Sequence, residues 1–407
     1  MLEGFLQSSF IVLTSTTYLS GLAILLDFNE NIVAIIPLLK TICGVFSILF
    51  GIYWEKLEAW KGKIIALLLS GNLLICLAAF LALILPDRLR LPVFILFLLT
   101  GSMASVSVWN AFTPWFVSLV PQSIRAQYFS DRQIISVIPA IVFPLLIGPL
   151  LDQTAGQKAG FYIIYALATL IALTNACSLV KVTPPPMNKI KNKIGIGELF
   201  IIPLKNSEYR MYLSDITLFF FSIYFSFSFV ALYMIKYIEA SYSFISAITT
   251  ICAILSIVLY RLWGRICRII GSTIVMGFSV LLFSLSMAFY FGMNSKTYIF
   301  YYIIASIINA MANTGFLVSA FDRRYSIIPI ENQSIYEGLY VSATGIAILA
   351  GVLLGAYVKD TLAGYFQISG FEYGHIRFLF LLSSLFLAVT TGKIFIQAKF
   401  LKKMQRA

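Results

Sequence analysis

LVPQSIRAQYFSDRQ, residues 119–133, is a polar stretch that lies between two long apolar segments. A second stretch, IIPIENQSIYEGLYV at 327–341, begins 208 residues later and also separates two apolar segments. Two positions coincide, Pro121 with Pro329 and Tyr128 with Tyr336. The offset is close to half of the 407 residues, so the pair indicates a duplicated architecture.

The composition predicts a membrane protein. Hydrophobic residues make up 60% of the chain and charged residues only 11%, whereas soluble globular proteins carry about 25% charged residues. Apolar runs of about 20 residues recur, and a helix needs that length to cross the hydrocarbon core. Because a bilayer offers no water to unpaired backbone groups, such runs must be helices. We predict an all-α polytopic membrane protein.

Twelve apolar segments are predicted to span the membrane, six on each side of a polar linker. They are residues 5–27, 31–53, 63–85, 91–116, 132–152, 160–180, 210–235, 243–262, 271–293, 297–320, 336–358 and 376–397. The linker contains three consecutive prolines followed by four lysines, which predicts a segment outside the membrane. Its IGELFIIP portion is a candidate for a short helix on the membrane surface. The predicted domains are a bundle over 1–180, the linker over 181–208 and a bundle over 209–407.

The positions of lysine and arginine predict the orientation. With both termini on one side of the membrane, 21 of the 29 Lys and Arg residues fall on that side. Such residues accumulate in cytoplasmic loops, so the termini and the linker are predicted to be cytoplasmic, in a multi-pass protein of the inner membrane. Topology thereby accounts for the net charge of +12, and no nucleic-acid partner is expected.

The sequence offers little to an enzyme or a metal site. Its five cysteines lie in or beside apolar runs without motif spacing, and His375 is the only histidine. A disulfide framework or a zinc site with several histidines is therefore not expected. The G-x-x-x-x-G-K-[ST] loop that binds ATP phosphates is absent from the sequence. We predict no cofactor, no metal and no enzymatic role; an intramembrane enzyme and a channel or receptor are alternatives without a supporting motif.

The turn after helix 2 resembles a motif of the major facilitator superfamily (MFS) of secondary transporters. That family carries G-x-x-x-D-R-x-G-R-R between helices 2 and 3. GIYWEKLEAWKGK at 51–63 keeps Gly51 and has Glu55 and Lys56 at the acidic and basic positions, while Glu58 replaces the second glycine. The resemblance implies a cytoplasmic gate, in which a charged turn pairs with helix ends. An ordinary positive loop is the alternative.

A weaker copy of this motif is expected between helices 8 and 9. LWGRICRIIGS at 262–272 keeps Gly264 and Gly271, and Arg268 occupies the acidic position. By the same resemblance, Gly264, Arg265 and Arg268 are candidate gate residues. Glycines at such positions let two helices approach closely.

The opening stretch is the most specific local match to the same family. Loop 4–5 of many members reads L-V-P-x-x-x-R-x-x-Y-F-x-x-R, preceded by a tryptophan. The matching residues are Trp115, Leu119, Val120, Pro121, Arg125, Tyr128, Phe129 and Arg132. Its later copy falls between helices 10 and 11, where a two-fold repeat places it. Arg125, Asp131 and Arg132 are predicted to form cytoplasmic pairs, with unpaired loop charges as the alternative.

The resemblance covers essentially the whole chain and implies the MFS fold, with two pseudo-symmetric six-helix bundles. It further implies a monomer in the lipid bilayer that transports a small-molecule substrate by alternating access. A coupling ion is part of this expectation, with the proton favoured by the habits of the family.

Lys40, in IIPLLKTICG at 35–44, is the strongest candidate for a substrate or coupling contact. It lies about nine residues, or roughly 14 Å, into helix 2 at about 1.5 Å per residue. A lysine stem of about 6 Å is too short to reach the outer surface fully. A charge at such depth is expensive and is by default a functional hypothesis. A structural ion pair and a misplaced helix boundary are the alternatives.

Asp215, about one and a half turns inside helix 7, is predicted either to titrate during proton coupling or to pair with Arg210. By the resemblance, helices 1, 4, 7 and 10 line the substrate path. Their polar candidates are Tyr18, Ser105, Asn110, Ser222, Tyr224, Ser226, Asn309 and Asn313. Asn309 and Asn313 share one helical face. Hydrogen bonding between helices is the alternative for these residues.

Two further motifs concern helix packing and direction of transport. Gly148-Pro149 in helix 5 resembles the motif of antiporting exporters, but Pro144 and Asp152 replace its flanking glycines. The G-x-x-x-G in helix 11 is predicted to be a packing contact. We therefore predict proton-coupled transport of a small polar or anionic solute. The alternative is a proton-driven exporter of amphipathic or drug-like compounds.

Overall fold

The structure is a computed structural model that describes residues 2–46, 50, 60–119, 125–154, 157–182, 198–329, 333–368 and 373–404. Regular structure in these ranges is helical throughout. Eleven helices among the described residues are long and apolar enough to cross a membrane. The predicted all-α polytopic architecture is confirmed.

Twelve helices of the described ranges correspond to the predicted segments and carry the same numbers here. The first six are α1 (Leu2–Leu13 and Thr16–Leu25), α2 (Glu30–Ile35 and Leu39–Cys43, with 3-10 turns at Ile36–Leu38 and Gly44–Phe46), α3 (Trp60–Ile84), α4 (Asp87–Leu119), α5 (Arg125–Gln153) and α6 (Ala159–Val180). A linker helix, Glu198–Lys205, occupies the position of the predicted short helix.

The remaining helices are α7 (Ser207–Tyr224 and Phe229–Leu232, with a π-helical turn at Tyr233–Tyr237), α8 (Tyr242–Ile270), α9 (Ser272–Phe291), α10 (Tyr298–Ile327), α11 (Gln333–Ile368) and α12 (Gly374–Met404). Several of them extend beyond the predicted apolar segments. Polar residues continue a helix outside the hydrocarbon core, where hydropathy no longer marks its end.

The chain forms two compact units. The first comprises Met1–Ile196 and Ala240–Thr250, and the second comprises Gly197–Glu239 and Ile251–Ala407. The first turns of α8 therefore group with α1 to α6, a feature absent from the predicted domain limits. The division of the chain into bundles at the linker stays a prediction.

In the first unit, α3 and α4 approach closely at two glycines. A methyl group on Gly71 would lie 2.9 Å from the Gly101 carbonyl oxygen, and one on Gly101 would lie 2.7 Å from the Gly71 oxygen. Small residues at such crossings maximise van der Waals contact inside a bilayer. Outward-facing residues are apolar instead, as Ile163 and Leu170 of α6 show, which suits contact with lipid.

In the second unit, α9 packs against both α10 and α12. The interior is aromatic at the level of Phe219, whose ring centroid lies 3.9 Å from that of Phe316 and 5.2 Å from that of Phe283. Aromatic pairs of this kind add about 0.5–1.5 kcal/mol to the burial of their area. The outward face is again apolar, and Ile269 and Ile396 are 81% and 71% exposed.

Candidate functional site

Two helices of the first unit are interrupted inside the apolar region. Helix α1 breaks at Thr14 and Ser15, and the Thr14 hydroxyl donates to the carbonyl of Phe10 at 2.8 Å. Helix α2 passes through a 3-10 turn that contains Pro37, which lacks the N–H that an α-helix requires. Transporters typically build their substrate sites from discontinuous helices of this kind.

Lys40 lies immediately after the 3-10 turn of α2. Its side chain is half-buried, and no carboxylate in the described part of the chain pairs with it. The helical segment Leu39–Cys43 packs against α4, where the Cys43 thiol approaches the Leu99 carbonyl at 4.0 Å. The structure therefore places Lys40 within a helix and provides no ion pair for it among the described residues.

Tyr18 and Ser105 make hydrogen bonds inside the first unit. The Tyr18 hydroxyl bonds to the side chain of Ser246, near the start of α8. The Ser105 hydroxyl in α4 donates to the Asn72 side-chain oxygen of α3 at 3.4 Å. These contacts fit the interpretation as bonds between helices. Asn110 lies in α4, but its side chain falls outside the described residues.

The end of α5 holds the start of α8. The Asp152 carboxylate accepts hydrogen bonds from the Tyr242 and Ser243 backbone N–H groups at 2.7 and 2.9 Å. A methyl group on Gly148 would lie 2.8 Å from the Ser246 hydroxyl. Gly148 and Asp152, which align with the exporter motif, thus both contact the start of α8.

The N-terminal half of α1 carries buried polar side chains. Glu3 is only 6% exposed, and one of its carboxylate oxygens lies 2.7 Å from Nη2 of Arg132 in α5. One turn further along, the Gln7 side-chain oxygen accepts from Asn175 of α6 at 3.0 Å. Arg132, a predicted gate residue, thus has an acidic partner in α1.

Helix α7 of the second unit is interrupted as well. Its α-helix ends at Tyr224, and a short α-helix and a π-helical turn follow between Phe229 and Tyr237. Helix α11 lies against this break. A methyl group on Gly351 would lie 2.6 Å from the Phe221 carbonyl oxygen. A methyl group on Gly355 would overlap the Phe225 carbonyl oxygen. The G-x-x-x-G of α11 is a close packing contact.

The polar candidates of α7 make contacts both within α7 and with α9 and α12. The Ser222 hydroxyl donates to Leu218 at 2.7 Å and lies 3.4 Å from the hydroxyl of Thr390 in α12. Ser226 lies 3.5 Å from the Met287 sulfur. The Tyr224 ring packs near two phenylalanines of its own helix. The contacts of Ser222 with Thr390 and of Ser226 with Met287 match the alternative of hydrogen bonds between helices, whereas the ring contacts of Tyr224 stay within α7.

Asn309 and Asn313 of α10 differ in their surroundings. The Asn309 side chain is half-buried, and its amide nitrogen is enclosed without a hydrogen-bond partner. Asn313 is exposed. A donor without a partner in the interior favours a ligand or an ordered water with an acceptor oxygen. Asn309 is therefore the stronger candidate of the pair.

Asp215 is completely buried in the second unit. Its carboxylate lies 3.1 Å from Nζ of Lys393 in α12, which also donates to the Ser214 hydroxyl at 2.6 Å. The predicted pairing with Arg210 is wrong, since Arg210 donates to the Leu204 carbonyl at 3.2 Å. Residues five apart point to different sides of a helix, because neighbours on one face are three or four apart.

The predicted gate loops are described in part. Gly51, Glu55 and Lys56 lie outside the described residues, as do the side chains of Arg125 and Asp131. In the second copy of the motif, a methyl group on Gly264 would meet no atom of the described residues within 4 Å apart from its chain neighbours and the adjacent backbone of its own helix. Arg265 and Arg268 are exposed, and Arg268 donates to the Gly264 carbonyl at 3.4 Å. Both arginines lie in the last turns of α8, where they are exposed charges at a helix end.

A family profile decides the classification. The MFS_1 like family matches residues 16–369, which is most of the chain. The chain belongs to the MFS_1-like family. Among curated protein sequences, none matches it significantly.

Solved structures show that this MFS_1-like chain shares its fold with known transporters. A mutant of the nucleoside transporter NupG has a TM-score of 0.75 at 15% identity, covering 97% of this chain and 98% of that one. The POT family transporter PepTSo gives 0.70 at 14%, covering 97% of both chains. A D-xylose-proton symporter gives 0.59 at 15%, covering 95% of both.

The MFS_1-like chain is a membrane transporter, and the described part of each unit holds charged residues in its interior. In the first unit, Lys40 lies in an interrupted helix, separate in sequence from the pair of Glu3 and Arg132. In the second, Asp215 and Lys393 form a buried pair. Sequence reasoning missed the roles of Glu3, Asp152 and Lys393. Their partners lie far away in the sequence, so no local spacing signals the contacts.

Proposed function

We propose that this MFS_1-like transporter moves a small polar or anionic solute by alternating access, with a proton as the coupling ion. The observation that carries the proposal is Lys40. Its ammonium group lies in an interrupted helix, half-buried, without a carboxylate partner among the described residues.

The cost of an unpaired charge at this depth supports an anionic or hydrogen-bonding ligand. Removing a charge from water costs several kcal/mol unless a partner compensates it. A solute that offers a carboxylate, a phosphate or several oxygen acceptors compensates a lysine, whereas a cationic compound is repelled by it. The enclosed amide nitrogen of Asn309 is a second donor without a partner, and it favours the same chemistry.

Several of the related structures carry small polar solutes, although a bacterial metal transporter matches this chain as well as the D-xylose-proton symporter does, with a TM-score of 0.59 at 15% identity. Their names describe transporters of nucleosides and peptides and a symporter of D-xylose with protons. These solutes are small and rich in hydrogen-bonding groups. Since the identities are 13–15%, the comparison supports a class of solute and leaves its identity to experiment.

We further propose Asp215 as the carboxylate that carries the coupling proton. It is completely buried, and its ion pair with Lys393 joins α7 to α12. Protonation of Asp215 removes the attraction to Lys393, and so couples proton binding to the packing of α12 against α7. A purely structural ion pair is the alternative.

Export of amphipathic compounds is less well supported. The sequence feature in its favour is Gly148-Pro149, and Gly148 lies where a side chain would collide with Ser246. Close packing of α5 and α8 is a sufficient reason for a glycine there. The remaining signs, Lys40 and Asn309, favour a polar solute.

The experiment is a thermal-stability screen of the purified protein in detergent. Nucleosides, sugars, short peptides, organic anions and lipophilic cations are each added to the native chain, to Lys40→Ala and to Lys296→Ala. Lys296 is an exposed lysine between α9 and α10 and provides the matched control. A ligand that binds only the folded state raises the melting temperature by mass action.

We expect a polar or anionic solute to stabilise the native chain and Lys296→Ala but to lose its effect on Lys40→Ala. The proposal is contradicted if lipophilic cations are the only compounds that stabilise the native chain and they stabilise Lys40→Ala to the same extent. The identified solute then enters a flux assay in liposomes. Uptake that saturates and follows an imposed proton gradient supports coupling, and Asp215→Asn is expected to abolish gradient-driven accumulation while retaining solute binding.

A further inference from the structure

A cavity of about 260 Å³ opens in the second unit at the helix ends that the Lys and Arg distribution assigns to the cytoplasm. Its polar lining includes Ser272 and Thr273 at the start of α9, Arg323 and Ser326 near the end of α10, and Glu208 at the start of α7. None of these residues belongs to the proposed solute site. The cavity therefore poses a separate question.

The start of α9 presents free backbone donors to this cavity. Helix α9 has 20 residues, and its N-cap residue is Gly271, which has a φ of +90° and no side chain to cap the helix. The first N–H groups of a helix have no intrahelical partner. They carry about half a positive elementary charge in total. The cavity wall at Ser272, Thr273 and Ile274 thus attracts negative charge.

Arg323 is an independent indication of an anionic ligand. Its side chain lines the cavity although the residue is only 4% exposed. One terminal nitrogen donates to the Thr273 hydroxyl on the first turn of α9, while the buried Nε has no hydrogen-bond partner. A buried guanidinium with a free donor is costly unless an acceptor completes its hydrogen bonds.

The neighbouring charges leave this guanidinium under-compensated. Asp215 is the buried carboxylate nearby, and it interacts with both Lys393 and Arg323. Lys393 lies 3.1 Å from it, so one carboxylate serves two cations. Glu208 also lines the cavity but is exposed, and solvent screens its charge. Arg323 therefore shares its one buried carboxylate with a second cation.

We propose that this cavity binds a phosphate group, with its oxygens at the first N–H groups of α9 and at Arg323. Helix N-termini are ready-made phosphate sites, and the arginine fork matches phosphate geometry. Two sources share this chemistry: a soluble phosphate compound of the cytoplasm and the headgroup of an anionic phospholipid. The proposal concerns a binding site and does not depend on the transported solute.

The test uses the full chain in nanodiscs of phosphatidylcholine, whose net charge is zero. Inorganic phosphate is titrated while the melting temperature is followed, with equal ionic strength maintained by chloride. A second set of discs contains phosphatidylglycerol and no added phosphate. The variants are Arg323→Gln, Ser272→Asp and, as the control, Lys205→Gln, which removes an exposed charge outside the cavity lining.

Ser272→Asp keeps the proposal testable even if Arg323→Gln does not fold. A carboxylate in the first turn of a helix is favourable and would occupy the cavity in place of a phosphate group. We expect this variant to melt at a higher temperature without phosphate and to show no further response. Arg323→Gln should need about tenfold more phosphate, the effect of one hydrogen bond to a charged group. Lys205→Gln should respond as the native chain does.

Each outcome decides the question. Stabilisation by inorganic phosphate in neutral discs assigns the site to a soluble phosphate compound. Stabilisation by phosphatidylglycerol alone, lost in Ser272→Asp, assigns it to a lipid headgroup. The absence of both effects, or a response of Ser272→Asp equal to that of the native chain, overturns the proposal.

Discussion

The pair of buried Asp215 and half-buried Lys393 is the clearest case of charge compensation inside the second unit. Asp215 is 0% exposed, and the side chain of Lys393 is 34% exposed. Taking a carboxylate out of water costs several kcal/mol, and a cation within about 4 Å offsets much of that cost. The contribution of the pair to stability is therefore measured best by removing one of its two residues.

We expect Lys393→Met to lower the stability of the purified protein by about 1–2 kcal/mol, less than the cost of breaking a fully buried pair, because the Lys393 side chain is 34% exposed and solvent screens its charge. The reason is that Asp215 is left charged and without its nearest cation. The measurement is the melting temperature in detergent, with Lys399→Met as the control for loss of an exposed lysine in α12. Adding Asp215→Asn to Lys393→Met should recover most of the lost stability. If the double variant is as unstable as Lys393→Met, the pairing is refuted.

Asp152 is a helix cap supplied by a distant element. Its two oxygens accept the first free N–H groups of α8 at 2.7 and 2.9 Å, as a good N-cap side chain does. Charge assistance makes these bonds about twice as strong as neutral ones. The carboxylate thus stabilises the start of α8 more than a serine or threonine in the local sequence would.

We expect Asp152→Ala to destabilise the start of α8 by about 1–2 kcal/mol, the cost of a lost cap. Hydrogen exchange of peptides that cover Tyr242 and Ser243 should accelerate by about tenfold. Asp87→Ala removes a carboxylate whose side chain is 89% exposed, so exchange in α8 should not change. Equal acceleration in both variants would show that the effect is not local.

At the scale of elements, helices α1, α2 and α7 are each interrupted. A helix that stops and restarts leaves backbone groups without intrahelical partners, and a neighbour must provide the packing that holds the break. For α7 that neighbour is α11, whose Gly351 and Gly355 allow contact with the carbonyls of Phe221 and Phe225. The conformation of α7 depends on the small size of these two residues.

We expect Gly355→Ala to destabilise the protein by about 1–3 kcal/mol, because its methyl group would collide with backbone at Phe225. Gly264→Ala in α8 is the matched control, since a methyl group there meets nothing within 4 Å in the part of the chain that the structure describes, its own helix backbone and chain neighbours apart. It should be neutral or slightly stabilising, as alanine favours a helix by up to about 1 kcal/mol over glycine. If Gly355→Ala and Gly264→Ala melt at the same temperature, the close packing of α11 against α7 is contradicted.

At the scale of the whole molecule, charge placement predicts the orientation in the membrane. Of the 29 Lys and Arg residues, 21 lie on one predicted side, and loops rich in these residues stay in the cytoplasm during insertion. The side that carries the proposed phosphate cavity is defined by this distribution. Its location can be tested without knowledge of the solute.

We expect a membrane-impermeant maleimide to label Lys296→Cys in intact cells and to leave Lys399→Cys unlabelled until the membrane is opened. Both positions are exposed, in the loop between α9 and α10 and in α12 respectively. The background variant has the five native cysteines replaced by serine or alanine and should stay unlabelled. Labelling of Lys399→Cys in intact cells would show that the orientation is the opposite of the predicted one.

The sequence by itself determined the class of the molecule and its helices. Apolar length is a local property, and a bilayer converts each run of about 20 residues into a helix whatever its neighbours. The motifs in loops 2–3 and 4–5 indicated the superfamily before any coordinates. The packing role of G-x-x-x-G in α11 was equally legible, because close helix contact requires small residues at that spacing.

Only the tertiary structure decided which polar groups meet. The sequence favoured Arg210 for Asp215 because it lies nearby in the chain, whereas packing of α7 against α12 brings Lys393 to it. Asp152 and the start of α8 are brought together in the same way. Charge interactions depend on distance and burial, and both are set by helix packing. The sequence pattern within one helix does not reveal distance and burial, so ion pairs between distant segments are identified only from the folded chain.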